Sequence, residues 1–212
     1  MLKPKAKPVQ KTRIQHQNEQ IILDAALEVF SAYGYRGATV DQIAAKAGLS
    51  KPNLLYYFRR KEDIYVAVLE HTLDKWLQPL RKLDASKDPA AELGSYIKSK
   101  LDMSLRNPTA SKLFANEILH GAPHIKKFLS GPLKLLVEEK VGVIGQWIAA
   151  GKIKAVDPHH LIFAIWAVTQ HYADFSAQIE ALLSGKPEPK STQKAVLDIL
   201  LGGLIEKPRR MM

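Results

Sequence analysis

The stretch Thr39–Lys61, TVDQIAAKAGLSKPNLLYYFRRK, decides how this chain is read. Thr39 is a favoured N-cap, and Gln42 three positions on completes a capping box. Val40, Ile43, Ala44 and Ala47 then recur at helical spacing. The small residues Ala44, Ala45 and Ala47 allow a neighbouring helix to approach closely. Gly48 accepts the left-handed conformation that often ends a helix, and Leu49 can plug the turn into a core. Ser50 is a second N-cap, with Pro52 in the first turn, where its missing N–H costs least. Leu54, Leu55 and Phe58 are expected to face the core, leaving Lys51, Asn53, Tyr56 and Tyr57 on the other side. This layout is that of a DNA-reading helix-turn-helix, whose second helix offers its N-terminal residues to base edges in the major groove. Asn can pair with adenine and Lys with guanine there, and both can instead meet phosphate. A structural helical hairpin with a solvated basic end would share the same caps.

The charge distribution separates these readings. The chain has 31 Lys and Arg against 21 Asp and Glu, a formal net charge of +10. Residues 1–61 hold eleven of the bases and only four of the acids, so +7 of the +10 belongs to them. A concentrated positive footprint suits a polyanion whose binding weakens steeply with salt. The first eighteen residues carry five bases, two prolines and no acid. They are expected to form a disordered basic arm over 1–17, able to lie along DNA or enter a minor groove, and a solubilising tail reads equally well.

At 212 residues and 46% hydrophobic content the chain can bury a sizeable core and hold two modules. The absence of cysteine excludes disulfides, thiolate metal sites and cysteine nucleophiles, and agrees with the reducing bacterial cytoplasm. The basic N-terminus leads into polar Gln15–Gln20 rather than an apolar run, so no secretory signal is expected. Leu161–Val168, the longest apolar run, is too short to span a membrane.

Periodicity predicts an all-α protein of about nine helices. Glu19–Ala32 is the first, followed by a loop at Gly34–Gly37, the two short helices of the opening stretch, and a helix after Lys61 running through Ile64 to Leu80 with a bend near Pro79. Further helices are expected near 90–106, 108–119, 131–150, 158–182 and 190–206, with prolines at their starts. A three-helix head over 18–62 and a larger, nearly neutral body over 63–212 are the expected domains.

Residues 19–70 resemble the DNA-binding head of TetR-family transcriptional regulators. The resemblance rests on Phe30-x-x-x-Gly34-Tyr35-x-Gly37-x-Thr39, on Ile43-Ala44-x-x-Ala47-Gly48-Leu49-Ser50, and on Leu54-x-Tyr56-Tyr57-Phe58-x-x-Lys61-Glu62. It implies phosphate contacts at Thr39, Tyr57 and Lys61. It also implies base reading around Lys51, Pro52, Asn53 and Tyr56, behind the Ser50 cap. Many members have Gly at position 52 and Tyr at 55; Pro52 removes a backbone donor here and Leu55 a hydroxyl. Asn53-Leu-Leu-Tyr-Tyr-Phe58, Glu117-x-x-x-Gly121-Ala-Pro123 and His160-Leu-Ile-Phe-x-Ile-Trp-x-x-Thr169-Gln170-His-Tyr-Ala-Asp-Phe175 are similar to the RutR subgroup, whose members govern pyrimidine use and respond to uracil.

In Leu161–Phe175 an apolar helix is interrupted by Thr169, Gln170, His171, Tyr172 and Asp174, and buried polar groups need partners. A primary amide offers both a donor and an acceptor, which suits the edge of a uracil-like ring, and Trp76 could supply a stacking surface. The residues alone favour Gln170 and His171 satisfying one another or the backbone at a subunit interface. The resemblance selects Trp76 and Gln170 as effector contacts, with Phe114, Thr169 and Tyr172 beside them. An unrelated small apolar or aromatic effector is the alternative.

Gly121 and Pro123 interrupt the helix that would align His120 with His124, and His159 and His160 point to different faces, so no metal site is expected. No phosphate-cradling loop, nucleophile elbow or cofactor motif occurs. The expectation is therefore a non-enzymatic, cofactor-free homodimer joined through its last two long helices. Its heads would read a near-palindromic double-stranded DNA operator and respond to a small molecule, with repression the expected sense. A small helical enzyme and a nonspecific DNA-coating protein are the readings from other classes.

Overall fold

A computed structural model describes residues 13–205. Helix α1 spans Arg13–Gly37, α2 Val40–Lys46, α3 Lys51–Tyr57 and α4 Lys61–Arg81. Then follow α5 (Pro89–Arg106), α6 (Pro108–Leu119), α7 (Lys126–Phe128), a π-turn at Leu129–Leu133, α8 (Lys134–Ala149), α9 (Pro158–Asp174), α10 (Ser176–Leu182) and α11 (Pro189–Leu201). Among the described residues the only extended pairing is an isolated antiparallel bridge between Ile153 and Ile205. The all-α expectation holds, and Thr39, Ser50, Asp88, Asn107, Asp157 and Glu188 each cap a helix with a side-chain oxygen.

The chain divides into two compact units at Val68/Leu69, within α4 and beyond the expected 62/63. In the first unit, Ile22, Phe30, Ile43, Leu54 and Ile64 are completely buried, one or more from each of α1 to α4. Burying a side chain of this size contributes roughly 1.5–3 kcal/mol, so these five anchor the head. In the second unit, α9 packs on α5 and α6, and α11 packs on α5. Leu93, Ile97 and Leu101 of α5 and Ile165 of α9 are completely buried between them.

Four boundaries differ from expectation, each through a tertiary or backbone cause. Residues 13–17, expected in the arm, are the first turn of α1, and residues 1–12 lie outside the described residues. Gln15 and Asn18 in this region donate to Tyr56 and Tyr57, which gives the turn a partner that sequence alone does not show. The loop expected at Gly34–Gly37 is a single break at Gly34 (φ 68°), after which helical turns resume. The helix expected from 131 begins at Lys126, because a π-turn accommodates Pro132 without ending it. The helix expected over 158–182 stops at Asp174. No Gly or Pro marks that stop; α6 pins both sides of it, through Ser111 to Asp174 and Lys112 to Ser176.

Candidate functional site

The helix-turn-helix is built by its caps. Thr39 Oγ1 accepts from the Gln42 N–H at 3.2 Å, and Gln42 Oε1 accepts from the Thr39 N–H at 2.8 Å. Gly48 (φ 68°) turns the chain so that the Leu49 N–H reaches the Ala44 carbonyl at 2.9 Å. The Ser50 hydroxyl accepts from the Asn53 N–H and starts α3.

Thr39, Ser50, Lys51, Pro52, Asn53 and Tyr56 are all exposed on the head, Tyr56 at 70%. Leu54 is buried, while Leu55 and Phe58, expected in the core, are only half-buried. Lys51 pairs with Asp41 at 2.9 Å, an exposed contact that a phosphate could displace at small cost. The Tyr57 hydroxyl accepts from Asn18 Nδ2 at 2.8 Å, and Tyr56 from Gln15 Nε2 at 3.4 Å. Gln15 and Asn18 were not singled out in the sequence, because nothing local shows that a polar turn of α1 meets the end of α3.

Lys61, expected at a phosphate, is half-buried and bonded within the head. Its ammonium donates to the carbonyls of Tyr35 (2.7 Å) and Ala38 (2.8 Å) and lies 4.7 Å above the Tyr35 ring. These carbonyls close the end of α1, where backbone acceptors lack helical partners. The cation at a helix C-terminus is favourable for the same electrostatic reason. Lys61 therefore ties α4 to α1.

In the second unit, four helices bring polar and aromatic groups together inside the core. Trp76 of α4 is 8% exposed, and Phe114 of α6 meets it edge-on at 5.5 Å between ring centroids. Lys100 of α5 is 5% exposed, with its ammonium 5.0 Å from the Trp76 ring centroid. Burial holds Lys100 down at about 8, with the Asp174 carboxylate pulling the other way. Asp174 of α9 in turn accepts from the Ser111 hydroxyl. One helical turn from Lys100, Tyr96 accepts from Trp166 Nε1 at 2.6 Å, and burial pushes its phenol well above the ordinary range.

Of the predicted effector contacts, the structure joins Trp76 with Phe114. Gln170 is half-buried one turn before Asp174 on the same face of α9. Thr169 is completely buried, and its hydroxyl donates to the Ile165 carbonyl of its own helix at 2.7 Å. Tyr172 is half-buried and lines two surface grooves instead. His171 stacks on Phe175 at 4.7 Å on the exposed side and is not the partner of Gln170. Sequence reading missed Lys100, Ser111 and Trp166. Lys100 repeats with Ile97 and Leu101 on an apolar stripe, the one available signal that this lysine is internal.

Among the described residues no group of three His, Asp or Glu side chains could hold a metal ion. His124 is bound to buried Glu117 and His159 to Glu138. No helix of the described residues is long and apolar enough to cross a membrane.

Residues 22–68 match the bacterial regulatory proteins of the tetR family, and residues 69–204 match the YcdC-like protein C-terminal region. The chain is 48% identical over 172 residues to the HTH-type transcriptional regulator RutR of Escherichia coli strain K12, covering 81% of each. It is 35% identical over 136 residues to the HTH-type transcriptional repressor NicS of Pseudomonas putida, covering 64% of this chain and 63% of that protein. The crystal structure of a TetR-like transcriptional regulator from Rhodococcus sp. RHA1 shares the fold with a TM-score of 0.66 at 21% identity, over 92% of this chain and 98% of that one. The capped helix-turn-helix, the separate helical body and these likenesses lead to one conclusion: the chain belongs to the TetR family of DNA-binding transcriptional regulators and is RutR-like within it.

Proposed function

We propose that this regulator is a homodimeric repressor whose operator binding is released by uracil or a closely related pyrimidine. The observation that carries the effector reading is the cluster of buried Trp76 and Lys100 with half-buried Phe114 and Asp174, Gln170 lying one turn before Asp174 on α9. A flat ring can lie on Trp76, while Lys100 donates and the Asp174 and Gln170 oxygens accept. The identity to RutR runs through the same region, and that relative's subgroup supplies the pyrimidine expectation.

For DNA, Lys51, Pro52, Asn53 and Tyr56 would face the bases, and Thr39, Ser50 and Tyr57 the backbone. Two heads would read half-sites about 34–36 Å apart, or a multiple of that. The dimer contact is assigned to α9 and α11. Phe163 of α9 and Phe175 just after it are 48% and 55% exposed, and Ile199 of α11 is 74% exposed. A groove of about 560 Å³ between α9 and α10, lined by Val168, Ile179 and Leu182, adjoins them. Facing apolar helices of this kind favour a four-helix bundle between two copies.

Helix α4 carries Lys61, which is tied to α1, and Trp76, which is tied to the cluster. Effector on Trp76 would bias α4 and thereby the heads, by no more than the effector's differential affinity for the two states.

A thermal-shift screen of nucleobases, followed by operator binding with and without the hit, tests the reading. Stabilisation by uracil with loss of operator binding is expected; stabilisation only by an unrelated compound would replace the effector. Sedimentation of Ile199→Asp should show monomers where the parent protein is a dimer.

A further inference from the structure

We infer that Lys100 sets the chemistry of the effector: its buried ammonium donates to a carbonyl oxygen of the ring lying on Trp76, so the site takes a neutral dioxopyrimidine and rejects its amino analogue. The inference rests on the pyrimidine reading above and goes beyond it by naming the group that discriminates.

Lysine is almost never fully buried unless its charge is met. Lys100 is 5% exposed, and among the described residues its ammonium meets an aromatic face and the field of a carboxylate rather than a hydrogen-bond acceptor. The carboxylate, Asp174, is engaged by the Ser111 hydroxyl at 2.5 Å. Burial outweighs the attraction of Asp174 and holds Lys100 down at about 8. An ammonium has three N–H donors and no acceptor capacity. The group that completes it must bring a lone pair.

Three features narrow that group. Trp76 and Phe114 offer an aromatic corner, which suits a flat ring. Asp174 already supplies one negative charge beside Lys100, so an anionic effector would place two anions around one cation. A neutral carbonyl oxygen makes a charge-assisted bond without that cost. An amino group at the same position would turn its N–H toward the ammonium and leave donors on both sides unpaired. Sites built around a required hydrogen bond discriminate far more strongly than apolar pockets do.

Calorimetric titration of the full-length protein with uracil and with cytosine tests this. The parent protein should bind uracil at least about a hundredfold more tightly than cytosine, as a required polar contact implies. Lys100→Met keeps the length of the side chain and removes the buried charge, so the fold and operator binding should persist. It should lose about 10- to 150-fold in uracil affinity, the worth of one hydrogen bond to a charged group, while cytosine changes little and the preference collapses. Lys100→Gln, which keeps an uncharged donor, should retain part of the preference and serves if the first variant does not fold. Unchanged uracil affinity in both variants, or equal losses for the two bases with the preference intact, would overturn the role of Lys100. A parent protein that binds its operator but neither uracil nor cytosine would overturn the pyrimidine reading itself, and the inference with it.

Discussion

The ammonium of Lys100 lies 5.0 Å from the ring centroid of Trp76, and both side chains are buried in the core of the helical body. A lysine in this position is destabilising by itself, where Met or Leu would not be. The contact therefore supports a ligand-directed role, and it has a measurable signature in stability.

Burial holds folded Lys100 down at about 8, against an ordinary 10.5. Between those values the unfolded chain binds more protons than the folded one, so this residue's contribution to stability rises with pH. The full penalty applies below about 8. Lys100→Met removes it. The stability gained by the variant should be on the order of 3 kcal/mol near pH 7 and should shrink as pH climbs toward about 10.5. Urea denaturation of both proteins across that range checks the difference, in which other titrations cancel.

Lys61→Ala should destabilise the head by about 2 kcal/mol, because two bonds from the ammonium to the carbonyls of Tyr35 and Ala38 are lost. Operator and random DNA should both be bound more weakly, with the dependence of affinity on salt unchanged. A salt slope lowered by about one would show instead that Lys61 also neutralises a phosphate.

Gly48 has φ 68°, and a Cβ built there meets no atom within 4 Å. Gly48→Ala is therefore a test of backbone strain without steric overlap, and about 1 kcal/mol of stability should be lost. Thr39→Ala should cost a similar amount, since it removes half of a capping box that is formed on both sides. Thermal denaturation of the two variants measures each.

Asn53 and Tyr57 should separate base reading from backbone contact. Asn53→Ala is expected to relax base preference at one operator position by about 1–3 kcal/mol. Tyr57→Phe removes the hydroxyl held by Asn18 and should weaken all sequences alike. Equal losses on operator and random duplexes for Asn53→Ala would remove it from the base-reading set.

Gln170→Ala should abolish the response to uracil and leave operator binding intact, because Gln170 is half-buried beside the cluster and remote in sequence from the head. Thr169→Val should leave effector affinity nearly unchanged, since the Thr169 hydroxyl bonds within its own helix. Titration of both variants with uracil tells a ligand contact from a packing residue.

Much of this was decided by the amino-acid sequence itself. Caps, glycine stops and prolines are local signals, and their energies act within four or five residues. Thr39 with Gln42, Gly48 and Ser50 therefore defined the helix-turn-helix without reference to the rest of the chain. The basic excess of residues 1–61 and the apolar periodicity of α5 and α9 are likewise properties of sequence. What only the tertiary structure decided depends on partners distant along the chain. Lys61 became a clamp because the end of α1 offers carbonyls to it, and a lysine next to a helix-turn-helix gives no local sign of that. The helix at 158–182 broke at Asp174 because α6 holds both sides of the break. Thr169 and Gln170 are neighbours in sequence, yet one turns into its own helix and the other lies beside the buried cluster. Lys100 entered the core because Trp76, Asp174 and its own helix surround it there. A charged residue is exposed by default, and only packing from other helices reverses that default.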